Sequence, residues 1–213
     1  MRLESYQKLL GQPLAGRARA LLAAAVVAIP FPFLSPLWTM AFQSNQYPDP
    51  LRLAIHVNRL EGQLTADRDD LREINSLNHY IGMRPLLESD FSEFLWIPFA
   101  IGFLGLLILR SIALGTVKDL TDLCVLYLYF GGFSLWTFYH RLYQYGHNLD
   151  PEAPIKVEPF TPPFFGRVRV ANFDVESYPG GASIAVGLVG ACLAAAWLLA
   201  VWTARRRLRE GGA

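Results

Sequence analysis

The chain is poor in cysteine: there are two in 213 residues, Cys124 and Cys192. Both fall within apolar stretches, and no C-x-x-C or C-x-x-C-H occurs. A disulfide framework, thiol exchange and covalent c-type haem therefore lack their ligands. A G-x-S-x-G elbow, an H-E-x-x-H pair and a glycine-rich phosphate loop are also missing, and internal repeats are not evident. Charge of one sign is missing as well, since 19 Lys and Arg stand against 18 Asp and Glu for a net charge of +1. With no basic patch alternating with exposed aromatics, nucleic acid is not an expected partner. Within the apolar stretches no acidic or basic side chain lies deep, which leaves a transporter without an ion or proton relay.

What is present is long runs of apolar residues. Hydrophobic residues make up 53% of the chain and charged ones only 17%. Four apolar stretches, residues 20–42, 94–114, 120–139 and 182–203, each approach the ~20 residues that cross a bilayer. The expectation is an all-α integral membrane protein of four transmembrane helices. Residues 1–19, 115–119 and 204–213 would lie on the cytoplasmic side of a bacterial inner membrane, and loops 43–93 and 140–181 outside it. The first stretch is too long for a signal peptide and has no clean small-x-small site after it, so it reads as an uncleaved anchor. Pro30, Pro32 and Pro36 should kink it or end regular helix.

Orientation follows from the flanks. Arg2, Lys8, Arg17 and Arg19 precede the first stretch, and Arg205, Arg206, Arg207 and Arg209 follow the last, placing both termini inside. Trp38, Trp96 and Trp136 then mark the outer boundary, and Trp197 and Trp202 the inner one. Asp119 and Asp122 are placed to cap the third helix. Gly187, Gly190 and Ala191 give the fourth a small-residue surface for close helix packing.

The outer segments carry all four histidines. The first loop reads as two short helices: one from Leu51 to Leu64 bearing His56, another from near Thr65 to Gly82 with Leu71, Ile74, Asn78 and Ile81 on one stripe. On the second, Asn75, His79 and Met83 are spaced by four and would stack along one flank. An imidazole and a thioether one turn apart suit a soft cation such as Cu(I). His140 and His147 open the second loop. Its prolines, Pro151, Pro154, Pro159, Pro162 and Pro163, make a stiff strap, and Arg167–Val170 permits one short strand. The strap reads as a lid on its own protein or as a docking site for a periplasmic partner.

Two strings, Ile74 to Pro85 (INSLNHYIGMRP) and Tyr145 to Tyr178, which includes GHNLDPEAPIKV, resemble a family of small bacterial membrane proteins associated with copper-enzyme maturation in the gene clusters of nitrous-oxide reductase and related periplasmic copper proteins. The resemblance covers the outer half of the chain. It implies an accessory role near a periplasmic or membrane metalloprotein and places Asn78, His79, Met83, His147 and Asp150 within its motifs; His56 and His140 lie outside them.

The expected function is a non-enzymatic accessory or assembly factor handling copper on the outer face. His79 and Met83 would be ligands, His147 and His140 would complete the site, and Asp150 and Asn78 would orient imidazoles. His56 is a further candidate. The rivals are a purely structural subunit of a membrane complex and a b-haem electron-transfer subunit, for which only His140 lies near a span.

Overall fold

The computed structural model describes residues 3–170 and 172–210; Arg2, used above in the orientation argument, lies outside them. The elements in chain order are α1 (Leu3–Leu10), α2 (Gly16–Ala28), β1 (Trp38–Gln43), β2 (Leu51–Ile55), β3 (Leu60–Gly62), α3 (Asp70–Tyr80), α4 (Glu93–Leu114), α5 (Val117–His147), β4 (Gly166–Val170), β5 (Phe173–Pro179) and α6 (Gly181–Glu210). Short 3-10 turns lie at Phe31–Phe33 and Glu88–Asp90. The chain divides into two compact units. One comprises residues 1–31, 99–132 and 185–213, the other residues 32–98 and 133–184.

The first unit is helical. Its core joins Ala18, Leu22 and Ala25 of α2, Leu104 and Ile108 of α4, Leu120 and Leu123 of α5, and Val189, Leu193, Ala196 and Ala200 of α6. The alanines on α2 and α6 allow close approach, and Gly190 brings α6 against the ring of Tyr127, where an added Cβ would stand 2.9 Å from Cε1. Thr116 and Asp119 form a reciprocal cap on α5: the Asp119 carboxylate accepts from the Thr116 amide at 2.9 Å, and the Thr116 hydroxyl accepts from the Asp119 amide at 3.4 Å. These bonds to Thr116 hold the Asp119 carboxyl below its ordinary pKa.

The second unit is built on a sheet, and an all-α fold is thereby overturned. Five antiparallel strands run in the order β3-β2-β1-β5-β4. Met40 pairs with Leu53 on one side and with Ser177 on the other, and Phe42 with Leu51 and Val175. Side chains alternate across a sheet, so Trp38, Met40, Leu51, Leu53, Leu60 and Val175 share one face. That face packs with Ile74 of α3 and Leu142 of α5 as the unit's core. Arg52, Arg167, Arg169 and Glu176 belong to the opposite face.

Four expectations change here. The stretch 20–42 is not one helix: α2 stops before Pro30, a 3-10 turn carries Pro32, and Trp38–Gln43 is the central strand. A short apolar run does not by itself distinguish a buried strand from helix. Trp38 accordingly leaves the boundary and is buried in the sheet core, donating from Nε1 to Ser177 Oγ at 2.7 Å. The segment expected as the first outer helix is the β2-β3 hairpin, because Leu51, Leu53 and Ile55 alternate with Arg52 and Ala54. The single expected strand near Arg167 has a partner, β5, and joins the five-stranded sheet.

Three helical segments, Gly16–Phe33, Glu93–Leu114 and Gly181–Glu210, are long and apolar enough to cross a membrane. The expected third span is not among them. α5 is ample in length, but Tyr127, Tyr129, Trp136, Tyr139 and His140 reduce its apolarity. Both termini on one side was read from the flanking basic residues and agreed with four crossings; among the described residues three segments are long and apolar enough to cross, not four.

Candidate functional site

The two strings meet through backbone hydrogen bonds. Asp69 caps α3, its carboxylate accepting from the amides of Leu71 and Arg72 at 3.1 and 3.2 Å. At the other end the Gly82 amide donates to the His79 carbonyl at 3.2 Å, and the Met83 amide to the Asn78 carbonyl at 2.8 Å. This is the paired 5→2 and 6→1 pattern of a Schellman stop, with Gly82 at φ +77° as the left-handed residue. The order Asn78-His79-Tyr80-Ile81-Gly82-Met83 is thus a helix terminator. Asn75 then reads the exiting chain, accepting from the Leu86 amide at 2.7 Å and donating to the Leu86 carbonyl at 3.3 Å.

The second string lies against this stop. The Asp150 amide donates to the Gly82 carbonyl at 2.8 Å, and the Ile155 amide to the Tyr80 carbonyl at 3.0 Å. Asp150-Pro151-Glu152-Ala153 is a turn closed by the Ala153 amide on the Asp150 carbonyl, with the Asp150 carboxylate accepting from the Glu152 amide at 2.8 Å. A Cβ on Gly82 would stand 2.9 Å from Asp150 N, Asp150 O and Ala153 Cβ. Gly146 does the same for the strap: the Phe160 amide donates to the Gly146 carbonyl, and a Cβ on Gly146 would fall inside the Phe160 carbonyl. The strap is held against its own unit at both glycines.

Of the predicted site residues, the structure brings the ligands His79 and Met83 and the orienting groups Asn78 and Asp150 into one neighbourhood, joined by backbone. The helix ends at Tyr80, so Met83 does not continue the flank of Asn75 and His79. His79 is exposed, beside the ring of Tyr80. His140 stacks on Trp136 and sets Nε2 against Gln144 Nε2 at 3.0 Å, while His147 stacks on Tyr143 and sets Nδ1 against the Tyr143 carbonyl at 3.0 Å. Each ring leans back one turn. Seven residues at ~1.5 Å rise set their backbones about 10 Å apart along α5, and each ring is engaged by its neighbours on the helix instead of by the other. Asp150 and Asn78, expected to orient imidazoles, are engaged with backbone. Among the described residues no group of three or more His, Cys, Asp or Glu stands close enough to hold a metal.

His56 lies elsewhere, in the β2-β3 turn. It is buried, its Nε2 is 3.2 Å from Glu61 Oε2, and its Nδ1 has no partner among the described residues. Burial, reinforced by Arg59, holds its pKa below the ordinary histidine value against the opposite pull of Glu61.

Beside the junction is a small polar pocket of about 100 Å³, lined by Arg84, Asp90, Arg141, Gln144, Tyr145 and Asn148. Arg141 is fixed by a two-pronged pair with Glu93, both contacts 3.1 Å, and lies over the Phe91 ring at 5.6 Å. The pair keeps the guanidinium charged. Phe91 also stacks on Tyr145 at 6.0 Å and 6°. Burial, then Asp90, raises the Tyr145 phenol pKa, so the hydroxyl keeps its proton near neutrality. Arg84 makes no ion pair among the described residues. At about 100 Å³ the pocket is smaller than a cofactor site, which runs to ~300 Å³ or more. Sequence reasoning passed over it. The available signal was Arg141, Gln144, Tyr145 and Asn148, a polar set at helical spacing just past an apolar stretch. No protein-family model matches this chain, and neither a curated protein nor a solved structure does.

Proposed function

We propose that this chain is a membrane-embedded accessory protein whose sheet unit serves as a binding and assembly surface. The observation that carries this is the pairing, in one chain, of three apolar helical segments with side chains left bare on them, Phe99 at 81% and Leu198 at 62% exposure, and a sheet unit closed by hydrogen-bonded loops. Bare apolar surface of that extent is what a lipid-facing helix carries. The test is extraction of isolated membranes with alkaline carbonate and then with detergent. The protein is expected in the carbonate-resistant pellet and in the detergent extract; release by carbonate would overturn the reading.

Copper handling is the second reading, and the exposure of His79 favours it. Its ring nitrogens have no hydrogen-bond partner among the described residues, as an open ligand offered to an incoming ion requires. Cu(I) loading against a competing chelator tests it with wild-type, His79→Ala and His147→Ala proteins. Loading lost in His79→Ala supports copper, and equal loading by all three removes it.

A further inference from the structure

The polar pocket has more donors than acceptors. α5 and the residue after it place Arg141, Gln144, Tyr145 and Asn148 on one side, and Arg84 and Asp90 line the other. The Gln144 amide faces His140, and two Arg141 nitrogens face Glu93. The Tyr145 hydroxyl donates to the Pro85 carbonyl at 3.5 Å; available to a guest are the Arg84 fork, the third Arg141 nitrogen and the Asn148 amide, against the single carboxylate of Asp90. Such a set takes an oxyanion.

Its place in the chain indicates the source. Asp90 and Glu93 stand at the entry to the apolar helix Glu93–Leu114. Leu95, two residues after Glu93, is 73% exposed, and Trp136 and Tyr139 are exposed just before Arg141. Aromatic rings beside cationic groups at the end of an apolar segment mark headgroup depth. We propose that the pocket holds the phosphate of a membrane phospholipid whose chains lie along these bare side chains. The bare Leu95, Trp136 and Tyr139 favour the lipid over free phosphate, which has no acyl chains to cover them.

The inference rests on the membrane reading, which carbonate extraction tests separately. Detergent-purified, delipidated full-length protein would be mixed with phosphatidylglycerol, with diacylglycerol of the same chains, or with inorganic phosphate. Retained lipid is read by native mass spectrometry, and protection by thermal midpoint. Phosphatidylglycerol should be retained and should raise the midpoint, while diacylglycerol and phosphate should do neither. Arg84→Gln, which removes an exposed and unpaired side chain, should weaken retention about tenfold. Asn148→Ala should weaken it less. Arg167→Gln, the same charge change on the outer face of the sheet, should leave it unaltered. Equal retention by wild type and Arg84→Gln, an equal loss in Arg167→Gln, or protection by phosphate alone would each overturn the proposal.

Discussion

Replacing Gly82 with alanine tests whether the two strings form one structural joint. Two costs act at that residue. A left-handed backbone at φ +77° disfavours any residue with a Cβ by about 1–2 kcal/mol. A methyl at 2.9 Å from Asp150 N, Asp150 O and Ala153 Cβ meets two backbone atoms that cannot swing aside, and overpacking of this kind costs about 1–3 kcal/mol. Together they weaken the joint by about 2–5 kcal/mol, an increase of about 30- to 5,000-fold in local opening. Hydrogen exchange in detergent reads this at the amides of Met83, Asp150 and Ile155, which bond across the stop. Gly82→Asn tolerates the left-handed backbone but retains the clash, so it should recover only part of the loss. Gly16→Ala, at an open position, should change nothing at these amides. Exchange in Gly82→Ala within about threefold of wild type would refute the reasoning, because neither cost would then be felt.

Gly146→Ala should free the strap, whose Phe160 carbonyl occupies the space a methyl needs, and limited proteolysis should cut it faster near residues 155–161. His56 makes stability depend on pH with a definite sign. Its folded pKa is below the unfolded one, so the unfolded chain binds more protons as pH falls past ~6.5. Stability should decline from pH 7 toward pH 5 by no more than ~1.4 kcal/mol per unit for this one proton, and denaturation midpoints of His56→Gln should show a shallower slope. Breaking the half-buried pair with Arg141→Gln should cost about 2–3 kcal/mol by leaving Glu93 alone, and the double variant with Glu93→Gln should recover part of it in a thermal double-mutant cycle.

How much was legible depends on how far apart the deciding residues stand. Helix α4 was readable nearly to the residue and α6 over most of its length, because an uninterrupted apolar run of that length has few alternatives. The short outer elements were not. Leu51, Ile55, Leu60 and Leu64 fit a helical stripe, yet Leu51, Leu53 and Ile55 fit a strand equally well. β1, lying between β2 and β5, decided the matter by offering backbone partners on both sides. The motif strings were recognisable as strings, but their glycines proved to be places of close backbone approach, which histidine and methionine spacing gives no means of seeing. The pocket was invisible for a related reason: Arg84 and Asp90 are separated from Arg141 by more than fifty residues.

The sequence by itself determined the long apolar helices, the stiffness of the proline strap and the scarcity of reactive cysteine, since each depends on residues adjacent in the chain or on a period along it. Tertiary structure alone decided that Trp38–Gln43 is a central strand, that Asp150 and Ile155 bond to the end of α3, and that Arg84 faces α5. Those outcomes depend on pairings between distant segments, where hydrogen bonds and buried area outweigh the weak local preference of a few residues.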